Sequence, residues 1–353
     1  MNLDFASDNS TGASPAILQA IVDANDGTAP AYGADDWSQG AERRLSEIFG
    51  KDVTVSLVAT GTGANALAIS ALVEPWGAAL CHEFAHVAVD ECGAPEFFAG
   101  GAKLAPIPGR AGKITPDGLR DMLDLMPRGV VKQVQPMALS LAQATECGTI
   151  YSLDELAALS RIAHDSGLGV HMDGARFANA LVTLGCAPAD MTWRAGVDVL
   201  SFGATKNGAL ACEAVIFFDK AKAESFAFRR KRGGHTLSKG RLLGSQMLAY
   251  LEDGRWLRTA AHANAMAARL ELGLSNIPGA RMPFVRQANE VFAILPRAAH
   301  ERLQTGGARY HVWTPRALDA AERPGADETF MRLISSFAKT PEEIDRFVEL
   351  ARG

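Results

Sequence analysis

Three short stretches of the chain carry residue types that chemistry uses. FGATKNG (202–208) sets Lys206 among small residues between two apolar runs. HMDGAR (171–176) closes an apolar run with Asp173 and places Arg176 three positions later. ATGTGAN (59–65) puts Gly61, Thr62 and Gly63 between a β-like run and a helical one. A lysine in a turn can simply face water, but glycine and alanine around it also let a ligand come close. An aspartate at a strand end can simply cap the next helix. Followed by an arginine, it also suits a ligand with a basic nitrogen and a carboxylate. A glycine-rich turn that opens a helix offers free N–H groups and the positive end of the helix dipole to a phosphate. Its spacing is neither the dinucleotide fingerprint nor the Walker loop.

Together the three stretches form one chemical set. Pyridoxal 5′-phosphate needs an anion site for its phosphate, a carboxylate that keeps its ring nitrogen protonated, and a lysine that forms a Schiff base. Asp173 and Lys206 stand 33 positions apart (206 − 173), each at the end of an apolar run. Freeing a lysine amine at neutral pH costs roughly 5 kcal/mol. A desolvated, glycine-lined setting with a second cation nearby lowers that cost.

The elements that must hold these residues read as strands alternating with helices. β-like runs fall at 53–59, 78–83, 132–141, 168–173 and 197–202, and another apolar run follows Lys206. Ser14-Pro15 and Thr115-Pro116 place proline in a first helical turn. The stretches 152–155 and 340–343 fit the capping box. This alternation predicts an α/β fold, a mostly parallel sheet sandwiched by helices, with ligands beyond the carboxyl ends of its strands. From about 236 to 276 the pattern is helical, and EVFAILP, RYHVWT and FMRLISSF follow Pro278-Gly279. Two domains are expected: 1–254, a large cofactor-binding α/β domain with an N-terminal arm, and 255–353, a smaller C-terminal α+β domain.

Bulk composition narrows the class. The 353 residues are 48% apolar and 21% charged, with a net charge of −5. That is the balance of a soluble globular enzyme, and it argues against nucleic-acid and anionic-membrane partners. The run Arg229-Arg230-Lys231-Arg232 reads as a solvated helix face. Five cysteines without CxxC spacing suggest neither a disulfide framework nor a metal site. With no membrane-length apolar run and no signal-peptide profile, a cytoplasmic location is expected.

The chain resembles the bacterial low-specificity L-threonine aldolases, pyridoxal-phosphate enzymes of fold type I with an aspartate-aminotransferase-like fold. The matching stretches are FASDNSTG (5–12), AYGADDW (31–37), AHVAVDECGAPEFF (85–98), QATECGT (143–149), HMDGARFANA (171–180) and FGATKNG (202–208). The resemblance implies reversible cleavage of L-threonine, L-allo-threonine and related β-hydroxy-α-amino acids such as phenylserine to glycine and an aldehyde. Lys206 matches the Schiff-base lysine and Asp173 the partner of the ring nitrogen. Gly61 and Thr62 belong to the phosphate loop, whose donors vary in the family.

His86 matches the histidine that stacks over the ring, and it is a candidate base beside water and Glu146. His82 reads as structural from strand parity. Arg176 and Arg332 match the arginines that hold the substrate carboxylate, helped by Ser7, and Tyr32 lies in a loop near the active site of relatives. Glu146 stands where some relatives have histidine. Arg232 and Lys239 both stay open as the basic residue that reaches a neighbouring subunit's phosphate. The resemblance further implies a homotetramer, a dimer of dimers with active sites at the dimer interface. A β-eliminating lyase or an aminotransferase would share Lys206 and Asp173.

Overall fold

The computed structural model describes residues 1–353. Seven strands form the main sheet: β1 (Thr54–Val58), β2 (Gly77–His82), β3 (Lys103–Ile107), β4 (Gln135–Ala142), β5 (Gly169–Gly174), β6 (Val199–Gly203) and β7 (Glu213–Phe217). Their order is β1-β7-β6-β5-β4-β2-β3. β3, β2, β4, β5 and β6 pair in parallel, and β7 pairs antiparallel to both β6 and β1. Every residue of β2, β5, β6 and β7 is buried. Helices cover both faces of such a sheet, so its strands read as continuous apolar runs rather than as alternating ones.

The strand β3 lies at the sheet edge, and its sequence KLAPI carries an exposed Lys103 and a proline. Lysine and proline are devices of edge strands, and they hide the β pattern from a sequence reader. β4 begins at Gln135 rather than at 132, because the preceding residues form a turn. Both capping boxes are formed, at Ser152/Glu155 and Thr340/Glu343, and Pro15 and Pro116 open their helices.

A second, antiparallel sheet comprises β8 (Glu290–Pro296), β9 (His311–Val312) and β10 (Glu328–Ile334), in the order β8-β10-β9. It has its own core of Leu270, Leu274, Val291, Met331, Phe347 and neighbours, into which Phe5 of the N-terminal arm inserts. The helix Arg255–Ser275 packs against Phe177–Leu184 on one side and Pro341–Arg352 on the other, joining the two layers. The arm therefore reaches the smaller core and passes Ser7 and Asp8 over the main sheet's edge. No helix is long and apolar enough to cross a membrane.

Candidate active site

The carboxyl ends of β1, β2, β4, β5 and β6 share one edge of the sheet, and the reversed β7 starts there with Glu213. A cavity of about 500 Å³ opens at that edge. Lys206, Asp173, His86, Glu146, Arg176, Arg332, Ser7, Gly61 and Thr62 all line it. A smaller recess of about 250 Å³ shares Lys206, Asp173, Gly61 and Thr62 with it and adds Glu213. Tyr32 is not brought to this cavity. Its exposed ring lies 4.8 Å from Lys231 Nζ, beside a separate recess. His82 is buried, with Nε2 3.1 Å from the Gly109 carbonyl and Nδ1 accepting the Phe84 N–H, as a structural residue would be.

Lys206 occupies the tight turn Thr205–Asn207 between β6 and β7. Gly208 closes the turn at φ +119°, a conformation strained for any residue with a side chain. Asn207 anchors it from within the core, its Nδ2 donating to the Tyr250 hydroxyl and the Trp256 carbonyl, both at 2.8 Å. On the other side, Glu213 Oε2 accepts the Ala204 N–H at 2.8 Å. The lysine thus rides on a turn fixed at both ends.

Burial pushes Glu213 from 4.5 up to about 7, although hydrogen bonds from Thr205 and Ala204 and the charge of Lys206 oppose it. A carboxyl whose folded pKa exceeds its unfolded one stabilises the fold in its protonated form, and loses that contribution as pH rises through the folded value. The loss between 4.5 and about 7 is at most on the order of 3 kcal/mol. Glu213→Gln keeps an oxygen for the Ala204 N–H. Thermal denaturation of the apoprotein should therefore show a smaller drop in Tm between about pH 5 and about pH 8 for the variant than for the natural protein.

Asp173 is buried at the end of β5. Its Oδ1 accepts the Ala175 N–H at 3.0 Å, and its Oδ2 accepts Asn65 Nδ2 at 2.8 Å. The same amide nitrogen donates to Glu91 Oε1 at 2.9 Å, and His86 Nδ1 lies 2.9 Å from that oxygen. The backbone N–H of His86 donates to Glu146 Oε1 at 2.7 Å. Glu146 Oε2 is buried without a partner, and burial raises its carboxyl to about 7.

The two arginines differ in what they can still hold. Arg176 donates through Nε (2.9 Å) and Nη2 (3.2 Å) to the buried Asp8, and its Nη1 lies 3.3 Å from Glu290 Oε2. Burial pushes Asp8 up, but the charges of Arg176 and Lys206 and two hydrogen bonds outweigh it and hold the carboxyl below its usual pKa. Arg332, on β10, gives Nε and Nη2 to Glu290 Oε1 at 3.0 and 2.7 Å and stacks 4.8 Å from the Trp313 ring. Its Nη1 has no such partner. Asp8 and Glu290 carry no sequence signal for this role, because acids facing arginines from distant segments leave no characteristic spacing.

The helix Gly61–Leu72 starts in the cavity wall, capped by Thr60 Oγ1, which accepts the Gly63 N–H at 3.0 Å. The amides of Gly61 and Thr62 have no partner within the helix, and a Cβ on Gly61 would meet only open space. His235 packs so closely on Gly63 that a Cβ there would lie 2.2 Å from its ring. An anion site, a lysine, a buried carboxylate and unpartnered buried oxygens on Asn65, Glu91 and Glu146 line one cavity. The set fits pyridoxal phosphate together with an amino acid.

Known proteins share this arrangement of sequence and fold. The family described as beta-eliminating lyase matches residues 4–297. A low specificity L-threonine aldolase of Pseudomonas sp. is 43% identical over 309 residues, 88% of this chain and 89% of that protein. The protein of the same name from Pseudomonas aeruginosa is also 43% identical over the same shares. Among solved structures, the threonine aldolase of Leishmania major superposes with a TM-score of 0.91 at 29% identity, over 99% of this chain and 98% of that one.

Proposed function

The chain belongs to the beta-eliminating lyase family, and on that premise we propose that it is a pyridoxal 5′-phosphate-dependent threonine aldolase of fold type I. It cleaves L-threonine, L-allo-threonine and related β-hydroxy-α-amino acids, phenylserine among them, into glycine and an aldehyde, reversibly. The observation that carries this reading is the meeting of Lys206, Asp173, His86 and Arg332 in one cavity at the sheet edge. When bound, the cofactor supplies an electron sink for the charge left on Cα as the Cα–Cβ bond breaks.

The protein's own residues do the rest. Lys206 Nζ is the amine that holds the cofactor, Asp173 keeps a proton on its ring nitrogen, and the Gly61 and Thr62 amides take its phosphate. Arg332 Nη1, with Ser7, binds the substrate carboxylate, while Arg176 braces that corner through Asp8 and Glu290. His86 accepts the β-hydroxyl proton at Nε2, directly or through a water. Glu146 Oε2, protonated over much of the neutral range by burial, is available to the same hydroxyl.

We divide the chain at 254/255 and place it in the cytoplasm as a homotetramer, a dimer of dimers. The exposure of Tyr32, away from its own chain's cavity, supports an assembly in which that loop reaches a neighbour's site. Incubating the cofactor-loaded protein with L-threonine should yield equal amounts of acetaldehyde and glycine. A 2-oxo acid with ammonia would overturn the reading.

Charge-assisted hydrogen bonds are worth about 1.5–3 kcal/mol each, or roughly 10- to 150-fold in affinity. Arg332→Lys keeps a cation beside the buried Glu290 but loses the forked donor. Its KM for threonine should rise by roughly 10- to 100-fold in steady-state assays.

A further inference from the structure

Nδ1 of His86, Oε1 of Glu91, Nδ2 of Asn65 and Oδ2 of Asp173 form one hydrogen-bonded line with spacings of 2.9, 2.9 and 2.8 Å. The residues come from three places: the segment after β2, where His86 opens the short helix His86–Val89 and Glu91 follows it, the first turns of the helix Gly61–Leu72, and the end of β5. Glu91 has no exposed side-chain surface, whereas the His86 side chain is 40% exposed to the cavity and solvent.

The line fixes where hydrogens sit. Two carboxylate oxygens converge on the Asn65 nitrogen, so the amide must turn its NH₂ toward them; its oxygen there would face two acceptors. Each of the two hydrogens then goes to one carboxylate. Glu91 Oε1 therefore already accepts from Asn65, and His86 Nδ1 carries the hydrogen of the contact they share. Nε2 is left with a bare lone pair on the exposed side of the ring.

We propose that Glu91 is a positioning residue for the aldol step: it selects the His86 tautomer that leaves Nε2 free to take the substrate's hydroxyl proton. This rests on the threonine aldolase reading, in which His86 is the base. Asn65 holds Glu91 in place and ties it to Asp173, so the base and the partner of the cofactor nitrogen share one frame. Once Nε2 has taken the proton, the imidazolium keeps its Nδ1–H on the Glu91 carboxylate, and the charge is balanced where it forms.

The charged and titratable groups that face His86 are Glu91 five residues on, Glu146 at its backbone N–H, Asp173 on β5 and Lys206 on the β6–β7 turn. The hydrogen bond to Glu91 is the largest influence and raises the imidazole pKa; burial opposes it.

Glu91→Leu keeps the approximate size but removes the accepting oxygen, so it tests the tautomer, and Glu91→Gln keeps an accepting oxygen but removes the charge that balances the imidazolium. Two measurements apply. Selective ¹⁵N-histidine NMR of the apoprotein, with His86→Asn to assign the signal, should show His86 as the Nδ1–H tautomer and a mixture of tautomers in Glu91→Leu. In the cofactor-loaded enzyme, Glu91→Gln should lower kcat for threonine cleavage roughly 10- to 100-fold, a part of the roughly 10²- to 10⁴-fold that a positioned base contributes. The acidic limb of kcat/KM should move to lower pH, with KM little changed. An unaltered tautomer in Glu91→Leu, or an acidic limb that Glu91→Gln leaves in place while His86→Asn abolishes it, would overturn the role of Glu91 and spare the aldolase reading. An acidic limb untouched by His86→Asn would remove His86 as the base, and the proposal with it. Absence of any cleavage by the natural protein would refute the aldolase reading itself, and the tautomer measurement would still decide what Glu91 does to the ring.

Discussion

Lys206→Ala is expected to lower threonine cleavage by roughly four orders of magnitude while leaving the protein folded. The turn that carries Lys206 is held by Asn207 against Tyr250 and Trp256 and by Glu213 against the Ala204 N–H. None of those contacts uses the lysine side chain, so its removal should cost the fold little. What disappears is the only amine the cavity offers at the end of β6, and with it the attachment of the cofactor. Lys206→Arg separates attachment from charge: a guanidinium keeps the cation but cannot serve as the attacking amine, so the loss should match that of alanine. Acetaldehyde release measures the rate, and borohydride fixation with peptide mapping reports which amine holds the cofactor. Activity of Lys206→Ala within about tenfold of the natural protein, or a label on another lysine, would refute the assignment.

Much of this site was legible because its parts lie at strand ends, where apolar runs stop and small residues begin. Lys206, Asp173 and Gly61 were read from local pattern, and the cavity joins all three. The resemblance to the aldolases added His86, Arg332, Ser7 and Glu146, which also line it. What stayed hidden depends on long-range pairing. Asp8 and Glu290 are buried acids whose arginine partners lie 168 and 42 positions away, Glu91 meets Asn65 26 positions away as well as His86 five away, and no periodicity links such pairs. The same limit explains the division between the arginines. Sequence places Arg176 and Arg332 on equal terms, whereas packing commits Arg176 to Asp8 and leaves Arg332 with a free nitrogen. Strand β3 is not legible in the sequence for a local reason, its edge-strand lysine and proline.

Asp173→Asn should lower kcat by roughly 10²- to 10⁴-fold, with a smaller change in KM. The carboxylate receives Ala175 N–H on one oxygen and Asn65 Nδ2 on the other, which orients it rigidly in a buried place. An asparagine has one accepting oxygen for these two donors, so its NH₂ must face one of them. The unmet donor costs about 1–3 kcal/mol of stability, and assays belong well below the variant's Tm. The larger loss is chemical, because an amide cannot hold a proton on the ring nitrogen, and the cofactor's pull on the Cα charge weakens. The charge of Asp173 also helps raise the pKa of His86, so the acidic limb of the pH profile should shift to lower pH in the variant. Asp173→Glu restores the charge with one extra methylene and should recover part of kcat. If Asp173→Asn kept kcat within about tenfold of the natural enzyme, the cavity would not be using this carboxylate for the ring nitrogen, and the pairing of Lys206 with Asp173 would lose its chemical meaning.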